Sequence, residues 1–227
     1  MSRHIDREYE GELVGLRERV LLMGARVEEM IGLAMRAFLT RDPELAASTI
    51  TLDRQIDAAE KEIDELAIRV LARRQPVASD LRLITTTLKL VTDLERIGDL
   101  AVNICERVKE LASYPPPSVT QSLVRMDNAV RAMLADSLDA FGRRDPVLAA
   151  QVVERDRPVD AYYAQLFLEL VSHMMADAAN VAWATRMQSI GKCLERIADH
   201  ATNIAEMVVF MVDGEDVRHA PHLVGTA

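Results

Sequence analysis

A chain of 227 residues with a formal net charge of −9 is long enough for one large core or two small ones. Its acidic field repels nucleic-acid phosphates and anionic lipid, which argues against DNA, RNA and the membrane surface as direct partners. Only 4% of residues are aromatic, and few stretches alternate apolar with polar at the strand period, so an all-α fold is expected.

The opening MSRHIDREYE lacks the apolar segment of a signal peptide. No apolar run approaches the roughly 18–20 residues of a membrane span. The expectation is a cytoplasmic protein without membrane insertion. Cys105 and Cys193 belong to no CxxC pair and to no zinc spacing, and read as small buried hydrophobes. Arg73 and Arg74 read as solvated arginines at a helix end.

In chain order, Leu13, Leu16, Val20, Val27, Ile31, Ala34 and Phe38 recur at helical spacing and predict one long helix over 5–39. Asp42 and Pro43 supply a cap and a first-turn proline for a second helix over 43–73. Pro76 disfavours helix at Gln75, and a third helix follows over 77–111. The prolines at 115–117 form the clearest linker, with Ser118 placed to cap the fourth helix, over 119–141. Asp145 and Pro146 open the fifth helix, over 146–175, in which Pro158 predicts a kink. The sixth spans 179–212 and ends at the candidate C-cap Gly214. The remaining tail has no apolar period and is expected to be loosely held.

LERIGDLAVNICE at 94–106 returns as LERIADHATNIAE at 194–206, with nine of thirteen positions identical. RDP at 41–43 returns at 144–146, and Asp53, Arg54 and Asp57 return as Asp156, Arg157 and Asp160. Six helices therefore divide into two pseudo-symmetric three-helix bundles. The expected division is a first repeat over 1–113, a linker over 114–118, a second repeat over 119–214 and a tail over 215–227.

On the third helix Arg82, Lys89, Asp93, Arg96 and Arg107 share a face that reads as solvated, whereas Glu95 falls inside the apolar arc. Asp99 lies at its edge, with Asn103 and Glu106 further along. A carboxylate there is costly unless paired, hydrogen-bonded or bound to metal. On the second helix Asp53, Asp57, Glu60 and Asp64 form one acidic stripe, continued by Ile50 and Leu71, and like charges one turn apart repel. A cation between the helices would turn that repulsion into coordination by hard oxygen ligands. Ion pairing to a neighbouring arginine, or simple exposure of the stripe, remain alternatives. The second copy keeps Asp156, Asp160, Glu195, Asp199 and Asn203 but has Tyr163 and Phe167 where the first has Glu60 and Asp64, so its site should carry less charge. His200, matched by Leu100, reads as structural or exposed.

The runs PVASDLRLITTTLKLVTDLERIGDLAVNICE from Pro76 and LERIADHATNIAEMVVFMVDGEDVRH from Leu194 resemble the two signature regions of the PhoU family of bacterial phosphate-signalling proteins. The likeness extends over nearly the whole chain in helix order, repeat and length. It implies a non-enzymatic cytoplasmic regulator, recruited to the inner membrane face through its partners, that binds the ATPase subunit of the phosphate ABC transporter and a sensor histidine kinase, and represses the starvation response when phosphate is plentiful. It also implies a homodimer, and a multinuclear iron or zinc cluster or another divalent cation on E(D)xxxD motifs. Those motifs fall on Glu95 with Asp99, Asp53 with Asp57, Glu195 with Asp199, and Asp156 with Asp160. Ala198 departs from the glycine present as Gly98 in the first copy. Two other readings are a helical metal-binding adaptor outside the phosphate regulon and a carboxylate-bridged di-iron enzyme. The second lacks the Glu-x-x-His pairs usual at such centres.

Overall fold

The computed structural model describes residues 2–76, 78–114 and 121–215, and among them every regular element is helical. Helix α1 (Ser2–Thr40) buries Leu16, Val20, Met23, Val27, Met30, Ile31 and Ala34 along one stripe. It stops because Arg41 turns into the left-handed region at φ 56°, so that Asp42 N–H reaches back to the Ala37 carbonyl at 2.9 Å. The Asp42 carboxylate then accepts from the amides of Glu44 and Leu45, which starts α2 (Pro43–Ile50) with Pro43 in its first turn. The second copy repeats the junction. Arg144 lies at φ 54°, and Asp145 caps α6 (Pro146–Glu154) after α5 (Gln121–Arg143).

The second and fifth helices expected as single rods are each broken by one tight turn. After α2 the amides of Thr51 and Leu52 bond three residues back, to Ser48 and Thr49, before α3 (Asp53–Arg74) begins. The hydroxyls of Ser48, Thr49 and Thr51 all bond to local carbonyls there, which competes with the α-helical ladder. In the second copy the break falls at Arg155, and α7 (Asp156–Ala176) follows. Pro158 therefore sits in the first turn of α7, where its missing N–H costs no hydrogen bond. The bend expected at the proline lies instead before it. Counted singly, the described residues form eight α-helices, arranged as six rods.

Helices α4 (Ala78–Leu111) and α8 (Val181–Asp213) carry the widest buried arcs and form the centre of the molecule. A short 3₁₀ turn, Ala178–Asn180, leads into α8, and Gly214, at φ 79°, ends it by donating to the Phe210 carbonyl. α1, α2 and α3 surround α4, while α5, α6 and α7 surround α8. The two central helices run antiparallel against each other. Arg82 Nε bonds the Met211 carbonyl at 3.1 Å, Asp93 meets His200, and Glu110 pairs with Arg186 at 2.8 Å.

That seam corrects the expectation of a solvated face on α4. Arg82 and Asp93 point into the contact with α8, because a helix in the middle of two bundles is covered on both sides. Arg74 is likewise not a free surface arginine. It bridges α3 to α1 through Glu8 at 3.0 Å and Glu12 at 2.9 Å, whereas Arg73 is exposed. Ile50 and Leu71 both pack against the core, but the turn at 51–52 separates Ile50 from the acidic stripe of α3. Both cysteines are buried, and burial pushes both thiols up, Cys105 to about 11. The prolines of the linker, Ser118 and the tail beyond Glu215 lie outside the described residues.

Candidate functional site

The E(D)xxxD positions gather into two clusters, one per copy. In the first, α3 presents Asp53, Asp57, Glu60 and Asp64 beside Glu95 and Asp99 of α4, at the rim where the two helices meet. The two helices come close at Gly98, with room for no more than a small side chain between them. A Cβ added there would stand 3.6 Å from Oδ1 of Asp53 and 3.5 Å from Ile56. Ile56, Ile63, Ala67 and Val70 bury the other side of α3, so the acidic stripe is fixed at the edge by the core beneath it.

Charge is concentrated there. Burial raises the pKa of Asp53, and Asp57 and Asp99 raise it further. Burial also raises Glu60, reinforced by Asp64 and Asp57, and Asp64 is raised by burial. Glu95, whose side chain is 19% exposed, is raised by burial and by Asp99 against the opposing field of Arg96. Arg96 is the local counter-ion, at 3.4 Å from Glu95 and 3.2 Å from Asp99. Glu95 thus lies neither in the core nor in open water. The apolar arc ends at its carbon stem, and its carboxylate reaches the rim.

The second cluster joins Asp156 and Asp160 of α7 to Glu195 and Asp199 of α8. Burial raises the Asp156 pKa, as do Asp160 and Glu195, while the Thr202 hydroxyl opposes them. Oδ1 of Asp156 is nevertheless buried without a hydrogen-bond partner. Asp199 is pushed up to about 6, by burial first and then by Glu195 and Asp156, against Lys192. Lys192 donates to Glu195 at 2.6 Å and lies 5.6 Å from the centre of the Tyr163 ring. The cluster is poorer in net charge than the first on two counts: Tyr163 and Phe167 replace acids, and a lysine enters.

Sequence reasoning missed Lys192 and the pairing role of Arg96. Lys192 stands one turn before Glu195, where the first copy has Thr92, and that i, i+3 spacing was the available signal. His200 is half-buried and bonded to Asp93, away from both clusters. Among the described residues no three His, Cys, Asp or Glu side chains are drawn together closely enough to hold one ion, and no helix is long and apolar enough to cross a membrane.

The family model for the PhoU domain matches this chain twice, at residues 20–108 and 123–208. The chain belongs to the PhoU family. It is 41% identical over 226 residues to the phosphate-specific transport system accessory protein PhoU homolog of Pseudomonas aeruginosa, covering 96% of this chain and 91% of that one. It is 35% identical over 219 residues to the accessory protein PhoU of Escherichia coli, again covering 96% and 91%. Its fold matches the crystal structure of PhoU from Pseudomonas aeruginosa with a TM-score of 0.87 at 40% identity, over 91% of this chain and all of that one. The phosphate transport system regulatory protein PhoU from Streptococcus pneumoniae follows at a TM-score of 0.86 and 31% identity, covering 92% and 99%. Both PhoU matches contain an acidic cluster's α4 or α8 residues, Glu95 and Asp99 in the first and Glu195 and Asp199 in the second.

Proposed function

We propose that this protein regulates phosphate uptake as an accessory to the phosphate transport system, by binding rather than by catalysis. The observation that carries this reading is the match of both PhoU repeats, in sequence and in fold, to accessory and regulatory proteins of phosphate transport. In the full reading the chain works in the cytoplasm, contacting the transporter ATPase subunit and the sensor histidine kinase, and keeps the starvation regulon silent while phosphate is plentiful. Its net charge of −9 suits partners with basic docking surfaces.

Deleting the gene in its host and measuring transcription of transporter and alkaline phosphatase genes in ample phosphate tests the proposal. High transcription, lowered again by the intact gene, is the expected result. Unchanged transcription would overturn it.

A second reading is favoured by the unpartnered Oδ1 of Asp156 and by the carboxylates whose pKa is raised by burial and by one another. Hard oxygen donors suit a divalent cation, which would have to draw together carboxylates that stand too far apart here to share one ion. Asp53, Asp57, Glu95 and Asp99 would hold it in the first copy, and Asp156, Asp160, Glu195 and Asp199 in the second. A bound cation would supply positive charge that holds α3 to α4 and α7 to α8. Metal analysis of the purified protein checks this. The Glu95→Ala/Asp99→Ala variant should retain less iron, zinc or manganese while keeping its helical circular dichroism, and full retention would refute the assignment.

A further inference from the structure

One end of the molecule holds a cavity of about 460 Å³ between the start of α1, the start of α4 and the turn that joins α5 to α6. That volume lies in the range of small-molecule sites. Its floor is a face of α1 before Glu18, the position matched by Gln121, where α5 begins. Asp80 is about four turns of α4 from Glu95, and Gly214, which stands beside Arg82, is about four turns of α8 from Asp199. The cavity is therefore apart from both acidic clusters.

It is polar at both ends and apolar between them. At one end the Tyr9 hydroxyl donates to Oδ2 of Asp80 at 2.9 Å, and Glu10 adds a second carboxylate. Leu13 and Val14 follow one turn along α1. Arg17 lines the other end, roughly 10 Å further along the helix than Glu10. Arg144 joins it there, because Gly142 lies against the side chain of Leu21, one turn after Arg17. Among the described residues neither guanidinium has an ion pair or a hydrogen bond.

The repeat shows what has released Arg144. Its mate Arg41 donates to the carbonyls of Leu111 and Tyr114 at the end of α4. The matching positions at the end of α8 are Met211 and Gly214. Arg82, from the first repeat, already donates to the Met211 carbonyl and lies beside Gly214. The end of α8 is thus served from across the seam, and the Arg144 guanidinium is left to the cavity. Arg144 still holds its side chain on a left-handed backbone, at φ 54°, and strain of this kind is concentrated at binding and active sites.

We propose that this cavity binds a phosphorylated small molecule of nucleotide size. The phosphate lies between Arg17 and Arg144, two guanidinium groups from different elements that donate to separate phosphate oxygens. At the far end Glu10 and Oδ1 of Asp80, which accepts no hydrogen bond among the described residues, take up hydroxyl or amino donors, and Leu13 and Val14 cover the apolar part between. The opposed charges fix the ligand's direction, since the carboxylates repel the phosphate from their end. A lone inorganic anion uses only the basic half. The inference uses no part of the phosphate-regulatory reading or of the cation reading, and its test needs neither partner nor metal.

Isothermal titration of the full chain with the four ribonucleoside 5′-monophosphates, their parent nucleosides and inorganic phosphate is the test. At least one nucleotide should bind at least tenfold more tightly than inorganic phosphate and than its own nucleoside. Arg17→Gln and Arg144→Gln should each weaken that binding at least tenfold. Arg144→Gly should weaken it equally while raising the melting temperature, so that the loss is not one of folding. No binding of any of the four nucleotides at about 5 mM, inorganic phosphate bound as tightly as all of them, or a folded Arg144→Gln variant that binds like wild type would each overturn the proposal.

Discussion

Nδ1 of His200 lies 2.7 Å from Oδ1 of Asp93, and this contact ties together helices whose signature motifs are 100 residues apart. Asn203 adds a longer bond to the same oxygen, at 3.4 Å. The positions related to this pair by the repeat are Leu100 and Cys193, both buried and apolar. One side of the seam between the copies is thus polar where its mate is greasy.

Replacing one member of the pair strands the other at a half-buried position, so Asp93→Cys or His200→Leu alone should each cost about 1–2 kcal/mol. The double variant, which copies the opposite side of the seam, should lie closer to wild type than the sum of the singles. Urea melts of the four proteins form the cycle that measures the coupling.

Gly98 and Gly191 should respond in opposite directions. An alanine Cβ at Gly98 meets only ordinary van der Waals neighbours, and the second copy already has Ala198 there. Gly98→Ala should stabilise α4 by roughly 0.5–1 kcal/mol through helix propensity. At Gly191 a Cβ would run into the Leu166 side chain and approach Tyr163. Gly191→Val, which copies Val91 of the first repeat, overfills that contact and should cost about 1–3 kcal/mol in a thermal or chemical melt.

Arg41 and Arg144 adopt the same left-handed conformation, which is unfavourable for any residue with a Cβ. Arg41 recovers that cost through its guanidinium, which donates to the carbonyls of Leu111 and Tyr114 at 3.3 and 2.5 Å. Among the described residues the Arg144 side chain makes no such bonds. Arg144→Gly should raise stability by about 1 kcal/mol, whereas Arg41→Gly should bring no gain and should loosen the chain around Tyr114. Differential scanning calorimetry distinguishes the two, and amide exchange near Tyr114 reads the second effect.

Asp127 on α5 is 7% exposed, with Oδ1 buried and unpartnered. Burial raises its pKa, against the attraction of Arg131. Because the folded state binds this proton more tightly than the unfolded chain does, stability falls as pH rises from the ordinary aspartate value of about 4 through the raised one. Asp127→Asn should remove that part of the pH dependence, and the stability gap between variant and wild type should grow between about pH 4 and neutrality. Parallel pH-dependent curves would contradict it.

The fold was legible wherever its cause is local. Asp42 with Pro43, Asp145 with Pro146 and Gly214 each act within one helical turn, and the repeat at 94–106 and 194–206 announced the two bundles. The break after α2 also had a local cue in Ser48, Thr49 and Thr51, although no glycine or proline marks it. The break at Arg155 has its cue in Pro158, whose ring disfavours helix in the turn before it. The charged face of α4 was misread because whether Arg82 and Asp93 meet water is decided by α8, far away in the chain. The acidic stripes could be placed from helical spacing alone. Their counter-ions were harder to see, since Arg96 and Lys192 acquire their roles only when two helices set the carboxylates side by side.

The antiparallel seam of α4 and α8 has a consequence for how the two copies hold together. A contact that pairs the same helix of each repeat head to tail is what two separate single-repeat chains would form around a two-fold axis. Joining them through one linker makes that association intramolecular, so it persists at any dilution. Freed from strict symmetry, the two sides of the seam can also diverge, and Asp93 with His200, whose repeat-related positions are the buried Leu100 and Cys193, records such divergence. Cutting the linker should therefore leave two fragments that find each other again, and each fragment alone should expose the central helix on which the other was built.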